Sequence, residues 1–405
     1  MATSRSPGLP EPLATAYNPG MCLWALPVIK GVICGMESLT IETNTMEKML
    51  LQRAASVQRP ISGSLELLPL CNMNCDMCYV RLSHAETEKK GGLHTADEWI
   101  NLGWEMQKAG VLFLLLTGGE PLLFPDFKRL YLELKQMGMV LTINTNGTLL
   151  DEEWADFFAE NRPRRINITL YGADDKAYET LCHYPGGFEK TLRGIRLLKD
   201  RDVDVKINGS VTKSNYKDMQ KIYTFGRELG VPVHMDTYML PGIHERGLPF
   251  EQQARLLPEE AATAEMEAIK AEMDPEVFPI YVRQKIAQTE NNVVDNPKGI
   301  ACLAGNCSFT VNWQGQMRPC VTLEEPSVSV FEIGFEAAWE KVSKESKVFR
   351  INEKCVKCRL RPVCKTCVAS AWLETGAYDG LPEYLCRYAE EYQRLLYEEE
   401  EHEDK

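Results

Sequence analysis

The chain has 405 residues, of which 44% are hydrophobic and 25% charged, the balance of a globular protein with two to three domains and a large buried core. A formal net charge of −13 excludes a general nucleic-acid binder, which would present a basic face. The apolar stretch Met21–Ile29 resembles the core of a signal peptide, but it is too short to span a bilayer and Lys30 soon interrupts it, so a cytoplasmic protein with no membrane partner is expected.

Residues 1–60 read as an N-terminal extension, its first twenty residues unstructured and rich in Pro, Ala and Ser, with Met36 or Met46 as alternative starts. From Ser62 short apolar runs alternate with amphipathic stretches. Leu65–Leu70 reads as a strand, Thr95–Lys108 as a helix, and Val111–Leu116 as a buried strand ending in Thr117-Gly118-Gly119-Glu120-Pro121. Helix Asp126–Met137 leads to strand Val140–Asn144, and helix Asp151–Asn161 to strand Arg165–Tyr171. Helix Phe188–Asp200, strand Val203–Val211, helix Asn215–Leu229 and strand Val231–Tyr238 complete the series. Six strands alternating with helices require parallel crossovers, but fall short of the eight of a closed barrel. The expected fold is therefore α/β, a partial (β/α)6 barrel over residues 61–245, with chemistry at the carboxyl ends of its strands. Residues 246–300 read as a helical linker built around Pro258–Met273, and residues 301–405 as an irregular cysteine-rich domain. That last region contains a hairpin at Thr310–Met317 and ends in a solvated acidic tail, Glu398–Lys405.

Eleven of the 14 cysteines fall into two groups: a triplet, Cys71, Cys75 and Cys78, and an octet, Cys302, Cys307, Cys320, Cys355, Cys358, Cys364, Cys367 and Cys386. Close spacings of this kind in a large chain without an export signal point to metal ligands rather than disulfides. A cubane iron–sulfur cluster has four irons, each normally taking one thiolate. A triplet leaves one iron open and an octet closes two clusters. Cys22, Cys34 and Cys182 lie outside this arithmetic.

The Cys-x3-Cys-x2-Cys triplet after the first strand of a βα barrel resembles the radical S-adenosylmethionine (radical SAM) superfamily. The resemblance implies a [4Fe–4S] cluster whose open iron chelates S-adenosylmethionine, and reductive cleavage to a 5′-deoxyadenosyl radical that abstracts hydrogen from substrate. Gly118-Gly119-Glu120 looks like the family's motif for the ligand's ammonium, although a tight turn and a helix cap account for the same residues. Asn146 and Thr169 sit where the family contacts carboxylate and ribose, and Lys206, Asn208 and Ser210 on the fifth strand are further candidates. The position before the third cysteine is commonly aromatic in the family, near adenine; here Met77 stands there, with Tyr79 adjacent.

The octet resembles the SPASM extension of radical enzymes, which implies two auxiliary [4Fe–4S] clusters. One set would be Cys302, Cys307, Cys320 and Cys367, the other Cys355, Cys358, Cys364 and Cys386. Structural zinc is the rival occupant. Enzymes with this extension mostly modify peptides or proteins, so the expected function is oxidative modification of a peptide, with thioether or carbon crosslinks as known outcomes. The alternatives are action on a small metabolite or tetrapyrrole, sulfatase maturation, and a non-catalytic iron–sulfur or zinc scaffold. Sulfatase maturation uses an Asp after the third cysteine of the octet, where this chain has Val321; Asp236 or Glu324 would have to substitute. Expected partners are a peptide or protein substrate, a separate leader-binding protein, and a flavodoxin- or ferredoxin-type electron donor. Cys182 reads as a loop thiol bordering the site, either an inert core residue or a catalytic hydrogen donor. His183, His234 and His244 receive no role.

Overall fold

The computed structural model describes residues 45–240, 254–291 and 302–403. The leader with Cys22 and Cys34, His244 and parts of the expected linker lie outside these residues. α1 (Thr45–Ser56) precedes β1 (Ser62–Glu66), the cysteine loop, α2 (His84–Lys89) and α3 (Ala96–Ala109). Then come β2 (Phe113–Thr117), α4 (Phe127–Gln136), β3 (Val140–Thr145), α5 (Glu152–Glu160) and β4 (Arg165–Thr169). α6 (Asp175–Leu181), α7 (Gly187–Lys199), β5 (Val205–Ser210), α8 (Met219–Leu229) and β6 (Val233–Asp236) follow. The remainder comprises α9 (Pro258–Glu272), α10 (Phe278–Glu290), β7 (Ser308–Val311), β8 (Gln316–Arg318) and β9 (Val328–Ser329), then α11 (Val330–Ile333) and α12 (Phe335–Ser346). α13 (Glu353–Val356), α14 (Val368–Thr375) and α15 (Glu383–Glu403) end it.

Helix starts follow side-chain chemistry. Thr95 and Glu98 cap α3 reciprocally, and the Asp151 and Asp174 carboxylates accept the first free amides of α5 and α6. β1 to β6 pair in parallel and in order, the expected α/β partial barrel. Leu65, Leu114, Leu116, Leu141, Ile143, Ile166, Ile168 and Ile207 fill the face covered by helices, at 0–2% exposure. Alternation puts Ser64, Thr142, Asn144, Asn167, Lys206, Asn208 and His234 on the opposite face, inside the partial barrel. The interior is polar: Asn167 Nδ2 donates to Asn144 Oδ1 at 2.8 Å, and Ser64 and Thr310 share a hydroxyl bond of the same length.

The expected hairpin forms as β7 and β8, turning at Gln314-Gly315. Its placement is new. β7 pairs in parallel with β1, Ser62 against Ser308, so one nine-stranded sheet runs β6-β5-β4-β3-β2-β1-β7-β8-β9 through barrel and cysteine-rich region alike.

Three local expectations are corrected. α6 and α10 were not anticipated; α6 places Cys182 at a helix C-terminus rather than on a loop. The C-terminal region is more regular than its cysteine density implied, with α12, α14 and α15. The acidic end, Glu398 to Glu403, is helical, forming the last turns of the 21-residue α15 with Glu398 and Glu401 exposed. Arg387–Glu259 at 2.8 Å, Lys270–Glu399 at 2.6 Å and the Tyr281–Tyr392 hydroxyl bond at 2.9 Å hold that helix to α9 and α10. The N-terminal extension also contains α1, beyond the twenty residues expected to be unstructured, and its Glu47 takes both terminal nitrogens of Arg164 at 2.7 Å.

Candidate active site

The cysteine loop leaves β1 beside the end of β2. Leu67 N–H donates to Thr117 O at 2.9 Å, Gly119 N–H to Leu68 O at 2.7 Å, and Glu120 N–H to Leu70 O at 2.9 Å. This close approach explains Gly118 and Gly119. Gly118 has φ +147°, and a Cβ there would lie 2.5 Å from Leu68 O; one on Gly119 would lie 2.2 Å from Leu70 O.

Cys75 is buried, and Cys71 and Cys78 are partly so. Cys71 faces both other thiols and Glu120. Backbone amides already aim at the sulfurs: Met73 N–H at 3.4 Å from Cys71 Sγ and Arg81 N–H at 3.3 Å from Cys78 Sγ. Burial pushes the Cys71 thiol up to about 12, and raises Cys75 further through its contact with Cys182 and its burial. Such thiols give up their protons only to a cation that replaces the lost hydration.

Glu120 is fully buried at the end of β2. It accepts from Leu122 N–H at 3.1 Å, the Thr145 hydroxyl at 2.7 Å and Asn146 N–H at 2.8 Å. The first bond is the helix cap foreseen for it; the other two tie β2 to the end of β3. Burial raises Glu120 to about 7, against the pull of the Asn146, Thr145 and Leu122 donors. Asn146 Nδ2 lies 3.7 Å from Cys71 Sγ and donates to Asn72 Oδ1 at 2.9 Å. Cysteine loop, Gly-Gly-Glu and Asn146 are thus one assembly.

Other expected residues fall around it. Met77 packs against the core beside the loop. Tyr79 turns inward, its hydroxyl donating to Glu66 Oε1 at 2.7 Å. Thr169 ends β4 opposite Asn208, and Ser210 ends β5 opposite Asp236. Cys182 has 0% exposure and touches Cys75. Its carbonyl accepts Asn74 N–H at 3.0 Å, and that of Leu181 accepts Asp76 N–H at 2.9 Å. His183 Nε2 meets Asp76 Oδ1 at 2.7 Å. Sequence reasoning missed this brace, because no motif links residues 74–76 to residues 181–183.

The octet separates into two groups. Cys302 faces Cys307, Cys320 and Cys367. Cys386 faces Cys355, Cys358 and Cys364. Burial raises Cys307 and Cys364 to about 12 and Cys320 to about 11. Among the described residues, no three Cys, His, Asp or Glu donors close around the point a single ion would occupy. Cys367 also caps α14, its Sγ accepting Ser370 N–H at 3.4 Å.

The sequence pattern of the Radical SAM superfamily matches residues 65–226, the span that carries the triplet, Gly-Gly-Glu and β2 to β5. Residues 65–226 form a radical SAM domain. Such a domain implies a [4Fe–4S] cluster and S-adenosylmethionine, and the donor set fits: three neighbouring thiols on one loop, with a carboxylate and an amide beside them. The chain is 28% identical to the AdoMet-dependent heme synthase of Methanosarcina barkeri (strain Fusaro / DSM 804), over 77% of the chain and 92% of that protein. It is 23% identical to the PqqA peptide cyclase of Rhodopseudomonas palustris (strain ATCC BAA-98 / CGA009), over 68% of the chain and 72% of the relative. Among solved structures, native anSMEcpe with bound AdoMet and Cp18Cys peptide superposes with a TM-score of 0.63 at 20% identity, covering 84% of this chain and 97% of that one. Among the described residues, no helix is long and apolar enough to cross a membrane.

Proposed function

We propose that this radical SAM enzyme oxidises a peptide substrate by net removal of two hydrogens, using two auxiliary [4Fe–4S] clusters in its C-terminal region. The observation that carries the reading is the separation of the octet into two sets of four thiols, in a region whose β7 to β9 extend the sheet of the radical domain. Cys71, Cys75 and Cys78 would hold the first cluster, and Glu120, Asn146, Thr169 and Ser210 would surround S-adenosylmethionine. When bound, that pair supplies a 5′-deoxyadenosyl radical at the barrel mouth, able to take a hydrogen atom from an unactivated carbon. The chain's own residues position it. Gly118 and Gly119 admit the loop's backbone, Glu120 ties β2 to β3, and the helix-covered sheet excludes water from below. The sets Cys302/Cys307/Cys320/Cys367 and Cys355/Cys358/Cys364/Cys386 would each hold a closed cluster, and such a pair would supply an acceptor for the one further electron the substrate gives up.

The similarity to enzymes named PqqA peptide cyclase and to a structure with bound peptide supports the peptide substrate. A second reading, oxidation of a tetrapyrrole, draws support from the heme synthase relative, which the chain spans almost end to end. The test is anaerobic reconstitution followed by S-adenosylmethionine, a strong reductant, and either a precursor peptide encoded beside the gene or iron coproporphyrin. Formation of 5′-deoxyadenosine with a peptide product lighter by two hydrogens is expected. Conversion of the porphyrin alone would favour the second reading, and absence of 5′-deoxyadenosine would sink both.

A further inference from the structure

Oxidation by two electrons releases a proton along with a hydrogen atom and an electron, and that proton needs an acceptor. The residue after Cys320 is Val321, whose side chain has no basic atom. The far wall of the barrel mouth offers one. Asp236 closes β6, in register with Ser210 at the end of β5 and on the same face as His234. Its side chain is 65% exposed, so a molecule in the mouth reaches it. Behind it, His234 Nε2 stands 3.7 Å from Asp236 Oδ1, and His234 Nδ1 lies 3.0 Å from Glu272 Oε2. Glu272 is itself fixed, accepting from the Tyr223 hydroxyl at 2.7 Å and Met235 N–H at 3.0 Å. β6 and α9 together thus build a carboxylate–imidazole–carboxylate row that opens at one end to the substrate space.

The same wall adjoins the cysteine-rich region. Thr237 donates to Glu265 on α9, and Glu265 takes Lys365 at 2.6 Å; Lys365 lies between Cys364 and Cys367, one from each thiol set. The charged groups facing Asp236 are His234 from its own strand, Lys206 from β5 and Lys365 from the segment before α14, with Arg165 of β4 and Glu272 of α9 facing Lys206. The barrel wall strips part of the hydration that would favour the Asp236 charge, but His234, Lys365 and Lys206 hold it below the ordinary carboxylate range. The group is ionised when a proton arrives.

We propose that Asp236 is the proton acceptor of substrate oxidation, with His234 and Glu272 as its positioning residues. The substrate gives one hydrogen atom from carbon to the deoxyadenosyl group, forming 5′-deoxyadenosine. It then gives one electron to an oxidised iron–sulfur centre of the C-terminal region, and the proton of a neighbouring N–H, O–H or S–H to Asp236. The bond formed joins the carbon to that heteroatom; the bonds broken are C–H and heteroatom–H. An oxidised radical is a strong acid, so a weakly basic carboxylate suffices. The role depends on the enzyme being an oxidising peptide maturase.

The test uses the precursor peptide and holoenzyme described above, and counts modified peptide per 5′-deoxyadenosine. Asp236→Asn keeps shape and removes the acceptor: 5′-deoxyadenosine and iron content are expected to persist while modified peptide falls about 100-fold or more. Asp236→Glu restores part of it. His234→Gln leaves Asp236 without its cation and moves the acid limb of coupling to higher pH, which a purely structural role would not do. Wild-type coupling in Asp236→Asn overturns the proposal and leaves the peptide reading intact; an unconverted peptide in the wild type removes both.

Discussion

His234 shows how single side chains in this barrel carry opposed electrostatic forces. Burial disfavours the imidazolium, but Asp236 and Glu272 outweigh it and raise the group to about 9 from 6.5. A pKa raised on folding adds stability that is fully present below pH 6.5 and is lost as pH rises through about 9. Urea midpoints of wild type should therefore fall between those pH values relative to His234→Gln, whose own curve lacks this component; parallel curves would refute it. Lys206 works the other way. Burial lowers it to about 8, so its unfavourable charge is relieved as pH climbs above that, which makes the difference between the two proteins the quantity to read. The cysteine triplet, Gly-Gly-Glu and Asn146 were legible in the sequence because their chemistry is spelled by residue type and strand position. The roles of His234 and Glu272 were not, since a glutamate 36 residues beyond the end of β6 supplies the carboxylate.

Among elements, the segment leading into α9 is joined to α14 by a buried pair. Arg255, with a side chain only 1% exposed, binds Glu374 on α14 and stacks 3.6 Å from the Tyr384 ring. Tyr238 donates to the same carboxylate at 2.9 Å. Removing one partner strands the other charge, so Glu374→Ala should cost about 3–5 kcal/mol in chemical denaturation, while a double replacement by apolar residues should cost less. Equal losses in the two variants would show that packing, not charge, dominates there. The elements of the barrel were readable because each strand is a short apolar run between amphipathic helices. α6 was not, since seven residues show less than two turns of periodicity. α15 was mistaken at its end because an acidic run reads as solvated, although glutamate is a good helix former and Lys270 meets Glu399.

For the whole molecule, the continuous sheet makes barrel and cysteine-rich region one mechanical unit. The pairing of β1 with β7 joins residues some 246 positions apart, and no local pattern announces it. If each thiol set holds one cubane, reconstituted protein should contain about twelve irons, and loss of any one set about eight. Cys302→Ala and Cys367→Ala should give the same electron paramagnetic resonance change, and Cys355→Ala and Cys386→Ala a different shared one. Changes shared instead between Cys364→Ala and Cys367→Ala, neighbours in sequence, would overturn the partition.

The brace around Cys75 has a consequence for biogenesis. Two backbone bonds from the end of α6 bracket that cysteine, and the loop's other thiols already receive amide hydrogens. Iron delivery then meets a socket whose chain entropy was spent during folding, rather than a floppy segment that each arriving ion must organise. The protein would wait for its metal in a nearly finished shape, and a donor of preformed clusters would need only to present its cargo at the barrel mouth.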